Sequence, residues 1–158
     1  MPTKQGSLEL LNDPVAQSLL QSSNPARLAY VWKDGTPRVV SIWFHWTGRE
    51  LVLGSAPTMP KVKVLDGAKV AVTIDDNGFP YKVLLIRGTA NVRVVDGIAD
   101  EYKQAANRYM GTEGGAQWIQ NMEPITPKMA RIAITPEWVG VQDFERRFPN
   151  ELEKAMGM

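Results

Sequence analysis

The chain has 158 residues, 44% of them hydrophobic and 22% charged, with a formal net charge of +1. That size and balance describe one globular domain and exclude a whole-molecule field of the kind that draws in nucleic acid or an anionic membrane. The absence of cysteine excludes disulfides, thiolate catalysis and cysteine-ligated metal, and the single histidine, His45, leaves little for a zinc site, so no metal is expected.

At the N-terminus, MPTKQGSLELLN lacks the apolar core of a secretory leader. The longest aliphatic run, Val83-Leu84-Leu85-Ile86, is far too short for a bilayer, so a cytoplasmic location without membrane contact is expected. Asp13-Pro14 predicts a helix over about 13–22: Asp13 caps it, Pro14 fits the first turn, and Val15 and Leu19 recur at helical spacing. Residues 26–33 and 37–46 read as strands joined through Asp34-Gly35, a hairpin signal. Alternation along 37–46 puts Val39, Ser41, Trp43 and His45 on one face and Arg38, Val40, Ile42, Phe44 and Trp46 on the other. After the turn at Thr47-Gly48, residues 50–55 form a third strand.

The next stretch, LGSAPTMPKVKVLDG at 53–67, combines hydroxyls, a proline and two lysines at a strand end. Thr58 reads as the N-cap of a short helix whose first turn is Met59, Pro60 and Lys61, with Val62 and Leu65 as its apolar stripe. The unpaired N–H groups of such a turn, the Ser55 and Thr58 hydroxyls and the Lys61 and Lys63 charges would together suit a phosphate monoester. The competing reading is an ordinary capped helix with a solvated lysine face. Neither Gly-x-Gly-x-x-Gly nor Gly-Lys-Ser/Thr occurs, so a nucleotide-loop fold has no support.

Residues 69–75 form a strand with Val70, Val72 and Ile74 on one face, and Asp76-Asn77-Gly78 turns the chain into a long strand over 81–95. Arg87-Gly88 within it reads as a bend or bulge. The run 83–86, apolar on both faces, suits a central strand or one set against a partner. A helix follows Asp96-Gly97, with Ile98, Tyr102, Ala105 and Tyr109 on one stripe, and another short helix is expected around Trp118, Ile119 and Met122. Residues 128–135 and 137–144 read as two closing strands broken by Pro136, and 145–158 as a surface-bound or frayed tail. Many short strands at hairpin spacing with few helices predict a mainly β, antiparallel barrel or sandwich, one domain over 1–158.

The stretches from 26 to 95, in this order and spacing, resemble the pyridoxamine 5′-phosphate oxidase-like, FMN-binding split-barrel superfamily, in particular its flavin/deazaflavin oxidoreductase branch; the closing ITPEWVGVQDF also fits. The resemblance implies a split β-barrel that binds FMN, or alternatively a deazaflavin coenzyme of the F-420 type. It also implies a homodimer with cofactor sites at the subunit interface. It places Ser55, Lys61 and Lys63 at the phosphate, beside the Thr58 hydroxyl, and Val40, Ser41, Ile42 and Trp43 along the isoalloxazine. Pro60 stands where the family has an arginine, which removes a bidentate phosphate contact, and Val64 stands where the deazaflavin branch has an asparagine. Trp138 matches the aromatic residues that reach the partner's cofactor in the family, with core packing as the competing reading. His45 is either a proton donor near the ring or a hydrogen-bonded structural residue, and Arg87 suits an interface salt bridge.

The implied activity is hydride transfer to or from a small organic substrate, with the cofactor performing the chemistry and no catalytic side chain assigned. The alternatives are a deazaflavin-dependent reductase and a flavin- or haem-binding barrel without turnover. Pyridoxamine phosphate oxidation has less support, because VQDFERRFPNELEKAMGM lacks a recognisable substrate-phosphate motif. A barrel stacking single-stranded nucleic acid on Trp32, Trp43 and Trp46 is opposed by the near-neutral charge.

Overall fold

The alternating segments between Ala26 and Gln142 pair as seven antiparallel strands in a computed structural model that describes residues 2–158. The strands are β1 (Ala26–Val31), β2 (Pro37–Ile42), β3 (His45–Trp46), β4 (Leu51–Ser55), β5 (Lys69–Asp75), β6 (Val83–Asp96) and β7 (Lys128–Gln142). Their order across the sheet is β2-β1-β5-β6-β7-β4-β3, so the two edge strands are consecutive in sequence and joined by Trp43 and Phe44 alone. That link reaches no further than about 11 Å. In a flat sheet the same edges would stand about 29 Å apart, six strand spacings away. The sheet must therefore curl until its edges nearly meet, leaving a barrel split between β2 and β3.

The interruption at Trp43-Phe44 is a departure from the continuous strand expected over 37–46. The alternation nonetheless runs through it, since Phe44 is fully buried and Val40, Ile42 and Trp46 pack on the same core. β6 is central in the ladder, which accounts for the buried Val83, Leu84 and Ile86. Pro136 does not break the closing strand as expected. It faces Gly88 at a register shift in which Glu137 is the extra residue, so its missing N–H falls where the ladder is already interrupted.

Helix α1 (Pro14–Leu20) starts as the sequence predicts, with the Asp13 carboxylate accepting from the Val15 N–H at 2.8 Å, and buries Val15, Ala16, Leu19 and Leu20 against the barrel. The one-turn α2 (Val62–Leu65) follows β4. The two helices expected after β6 are both present: α3 (Asp100–Met122) is two helical halves that meet at a sharp bend at Gly111, with φ 79° and ψ 164°. The C-terminal tail is docked rather than frayed: it carries α4 (Asn150–Ala155), and Glu153, only 5% exposed, accepts from Gln5 Nε2 at 3.1 Å and the Phe148 N–H at 3.0 Å. Among the described residues no helix is long and apolar enough to cross a membrane.

Candidate functional site

A cleft of about 480 Å³ lies beside the split in the barrel. β2 and the link after it supply Val40, Ser41, Ile42 and Trp43; Pro25 and Gly54 add small surfaces; the loop before α2 supplies Lys61; and α3 supplies Tyr102 and Trp118. The Trp43 indole stacks on Tyr109 with centroids 5.0 Å apart and planes 6° from parallel, and Tyr102 and Trp118 tilt against it at 5.7 and 6.0 Å. Trp118 Nε1 donates to the Tyr102 hydroxyl at 3.1 Å. Three further bonds hold α3 over the split. Arg108 donates to the carbonyls of Ser22, at 2.8 Å, and Phe44, and the Tyr109 hydroxyl donates to the Asn24 carbonyl at 2.9 Å.

Lys61 is the charged group in this cleft and is only 9% exposed. Burial pushes its ammonium pKa down, and no charge among the described residues acts to restore it. A partly desolvated ammonium without a counter-charge carries a cost that an anion would lower. The helix-start geometry expected around it is different. Thr58 caps nothing: the chain makes successive tight turns, with the Met59 N–H on the Ala56 carbonyl at 3.1 Å and the Val62 N–H on the Met59 carbonyl at 3.0 Å, and α2 begins only after Lys61. Four residues of helix carry little dipole, so the positive character here comes from the lysine itself.

Of the sequence-predicted residues, Val40, Ser41, Ile42, Trp43 and Lys61 come together in the cleft. Ser55 is buried at the end of β4, while Thr58 and Lys63 are exposed outside the cleft. Trp138 lies elsewhere on the sheet, with the Arg87 guanidinium 4.0 Å from its ring centroid. Sequence reasoning did not assign Pro25, Gly54, Tyr102 or Trp118 to the site. Tyr102 appeared only as part of a helical stripe, and its meeting with Trp118 depends on the break at Gly111, which periodicity does not encode.

Next to the cleft, Arg131 donates to Glu101 through Nε at 2.9 Å and Nη2 at 2.6 Å. The hydrogen bond from Arg131 holds the Glu101 carboxyl below the usual carboxylate range, against the opposing effect of burial. His45 sits outside the cleft lining; burial first, then Arg108, pushes its pKa down, so the ring is neutral near pH 7. A carboxylate with a depressed folded pKa contributes stability above its unfolded pKa, and that contribution fades as pH falls through the folded value. Glu101→Gln is therefore expected to lower stability at pH 7 by about 1–3 kcal/mol and to flatten the loss of stability below about pH 4.5. Urea unfolding at pH 7 and pH 3.5 checks both.

No family model matches the sequence, and no curated protein matches it. Solved structures do match the fold. An F-420 reductase is 24% identical, with 78% of this chain and 94% of that one covered and a TM-score of 0.56. A pyridoxinephosphate oxidase family protein from Clostridium acetobutylicum, related to general stress protein 26, is 14% identical, with 89% and 92% covered and a TM-score of 0.60. An FAD and haem binding protein from Mycobacterium smegmatis is 22% identical, with 99% and 81% covered and a TM-score of 0.58. The curled seven-stranded antiparallel sheet, split between β2 and β3, is thus the fold of the pyridoxamine 5′-phosphate oxidase-like split barrels.

Proposed function

We propose that the cleft binds a phosphate-bearing planar cofactor, FMN first and a deazaflavin coenzyme of the F-420 type as the alternative, and that the protein is an oxidoreductase acting on a small organic substrate. The observation that carries this reading is Lys61, buried in the cleft with no counter-charge among the described residues. The residues present fit such a group: one cation for the phosphate, the apolar edge of β2 with Trp43 for a flat ring, and a volume within the range of small-molecule pockets. The cofactor supplies hydride transfer when bound. Lys61 holds the phosphate, Val40, Ile42 and Trp43 orient the ring, and Tyr102 and Trp118 keep water from one side of the cleft. No protein acid or base is required by that division of labour. Haem storage has less behind it, because the one histidine does not line the cleft.

The test is a spectrum of the purified protein followed by titration with FMN and with the deazaflavin coenzyme. Uptake of either, with reduction by a suitable donor, sustains the oxidoreductase reading. Uptake without reduction by any donor favours a binding protein, and no uptake of either sinks the proposal.

The assembly belongs to the same proposal: a homodimer that brings a second chain to the rim of the cleft. Across the outer face of the sheet, Val39, Ala29, Ala71, Arg87 and Trp138 stand side by side in register. Val39 is 67% exposed and the row beside it is made small by the two alanines, giving a flat apolar shelf. Ser41, which lines the cleft, lies on the same face of β2 two residues from Val39. Ala71→Arg is expected to convert a dimer to a monomer in sedimentation velocity while keeping the circular dichroism spectrum. A wild-type monomer at tens of micromolar overturns the dimer.

A further inference from the structure

Two side-chain hydroxyls line the cleft, Ser41 and Tyr102. Ser41 is exposed on an edge strand and free to turn. Tyr102 is held on three sides. Its ring tilts against Trp43 at 5.7 Å, and its oxygen accepts from Trp118 Nε1 at 3.1 Å. It also fills the space that Gly54 leaves open: a Cβ at Gly54 would lie 2.8 Å from Tyr102 Cδ2 and 2.7 Å from Met129 Sδ. A strand position has given up its side chain to seat this ring. With the indole N–H directed to the phenol oxygen, the phenol proton remains available, and it reaches no acceptor among the described residues.

We infer that Tyr102 is a specificity-determining contact, donating its phenol hydrogen bond to an acceptor on the polar edge of the planar ring. This rests on the proposed reading of the cleft and extends it, since Lys61 then recognises the phosphate and Tyr102 the ring. Trp118 is the positioning residue, because the bond it donates fixes which way the phenol hydrogen points. Gly54 is what permits the approach.

The two roles separate when FMN is compared with riboflavin, which carries the same ring and lacks the phosphate. Tyr102→Phe keeps the ring and its packing and removes only the donor. It is expected to weaken FMN and riboflavin by the same factor, roughly three- to tenfold. The visible band of the bound flavin is expected to shift with it. Lys61→Met is expected to weaken FMN and leave riboflavin unchanged. Trp118→Phe, which leaves the hydroxyl but frees its rotation, falls between wild type and Tyr102→Phe. A thermal melt of each variant confirms folding. If Tyr102→Phe holds both flavins like wild type with an unshifted band, the inference fails while the Lys61 result keeps the cofactor reading alive. A loss confined to FMN would put Tyr102 at the phosphate and also overturn it. If wild type binds neither flavin, the inference about Tyr102 falls, and the cofactor reading then stands or falls on uptake of the deazaflavin coenzyme.

Discussion

Lys61→Met is expected to bind FMN roughly ten- to hundredfold more weakly than wild type, the range for hydrogen bonds to a charged group. The same change is expected to make the cofactor-free protein more stable. The two effects have opposite signs for one reason. In the free protein Lys61 is 9% exposed and its ammonium is partly desolvated without a counter-charge among the described residues, a cost that methionine removes at similar volume. In the complex, the phosphate turns that cost into a charge-assisted bond. The pH dependence follows from the same asymmetry. A lysine whose folded pKa is depressed binds its proton less readily folded than unfolded, so the free protein gains stability as pH rises from the folded value to the ordinary lysine value. Lys61→Met should lose that alkaline gain. Urea midpoints of the two free proteins between neutral and alkaline pH, with FMN titrations beside them, check both claims. Unchanged FMN affinity would remove Lys61 from the phosphate, whatever the stability does.

The surroundings of Lys61 mark where the sequence could be read and where it could not. The stretch 53–67 pointed to an anion site through its residue types, but the helix expected to start after Thr58 starts only at Val62. Thr58, Met59 and Pro60 make successive tight turns, and what matters is the burial of one side chain, which depends on β2 and α3 packing around it. The strands were legible because a half-buried sheet imposes a period of two, and that period survives even the break at Trp43-Phe44. The break itself was not legible, since it follows from closure of the whole sheet rather than from local preference. The same holds for Tyr102 and Trp118, sixteen residues apart and in contact only because Gly111 interrupts their helix. The tail read as surface-bound or frayed, and the contact that docks it was not legible for a related reason: Glu153 reads as a surface charge until Gln5, from the other end of the chain, is placed beside it.

Gly88→Ala is expected to be the most destabilising small substitution in the sheet. An added Cβ would sit 2.1 Å from the Thr135 carbonyl oxygen and 3.3 Å from Ile134 Cγ2. Neither neighbour can turn away cheaply, because the nearest atom is backbone and belongs to the β6–β7 ladder, which runs from Val83 opposite Gln142 to Asp96 opposite Lys128. Relief requires opening the pairing next to the register shift, where Glu137 is already unmatched and Pro136 offers no N–H. Overpacking against backbone of this kind costs about 3–4 kcal/mol. For a chain of this length that corresponds to a fall in Tm of roughly 6–15 °C. Gly48→Ala is the control: Gly48 also has no side chain, its φ is +94°, and a Cβ there meets nothing within 4 Å. Only the backbone term remains at Gly48, about 1–2 kcal/mol, so its Tm should fall by roughly a quarter to two-thirds as much. Calorimetric melts of the two variants decide the matter. Equal losses would mean that β6 and β7 do not approach as closely at Gly88 as the register requires. A clear excess at Gly88 would locate the strain in the β6–β7 approach itself, the crossing that carries Arg87 onto Trp138 on the outer face of the barrel.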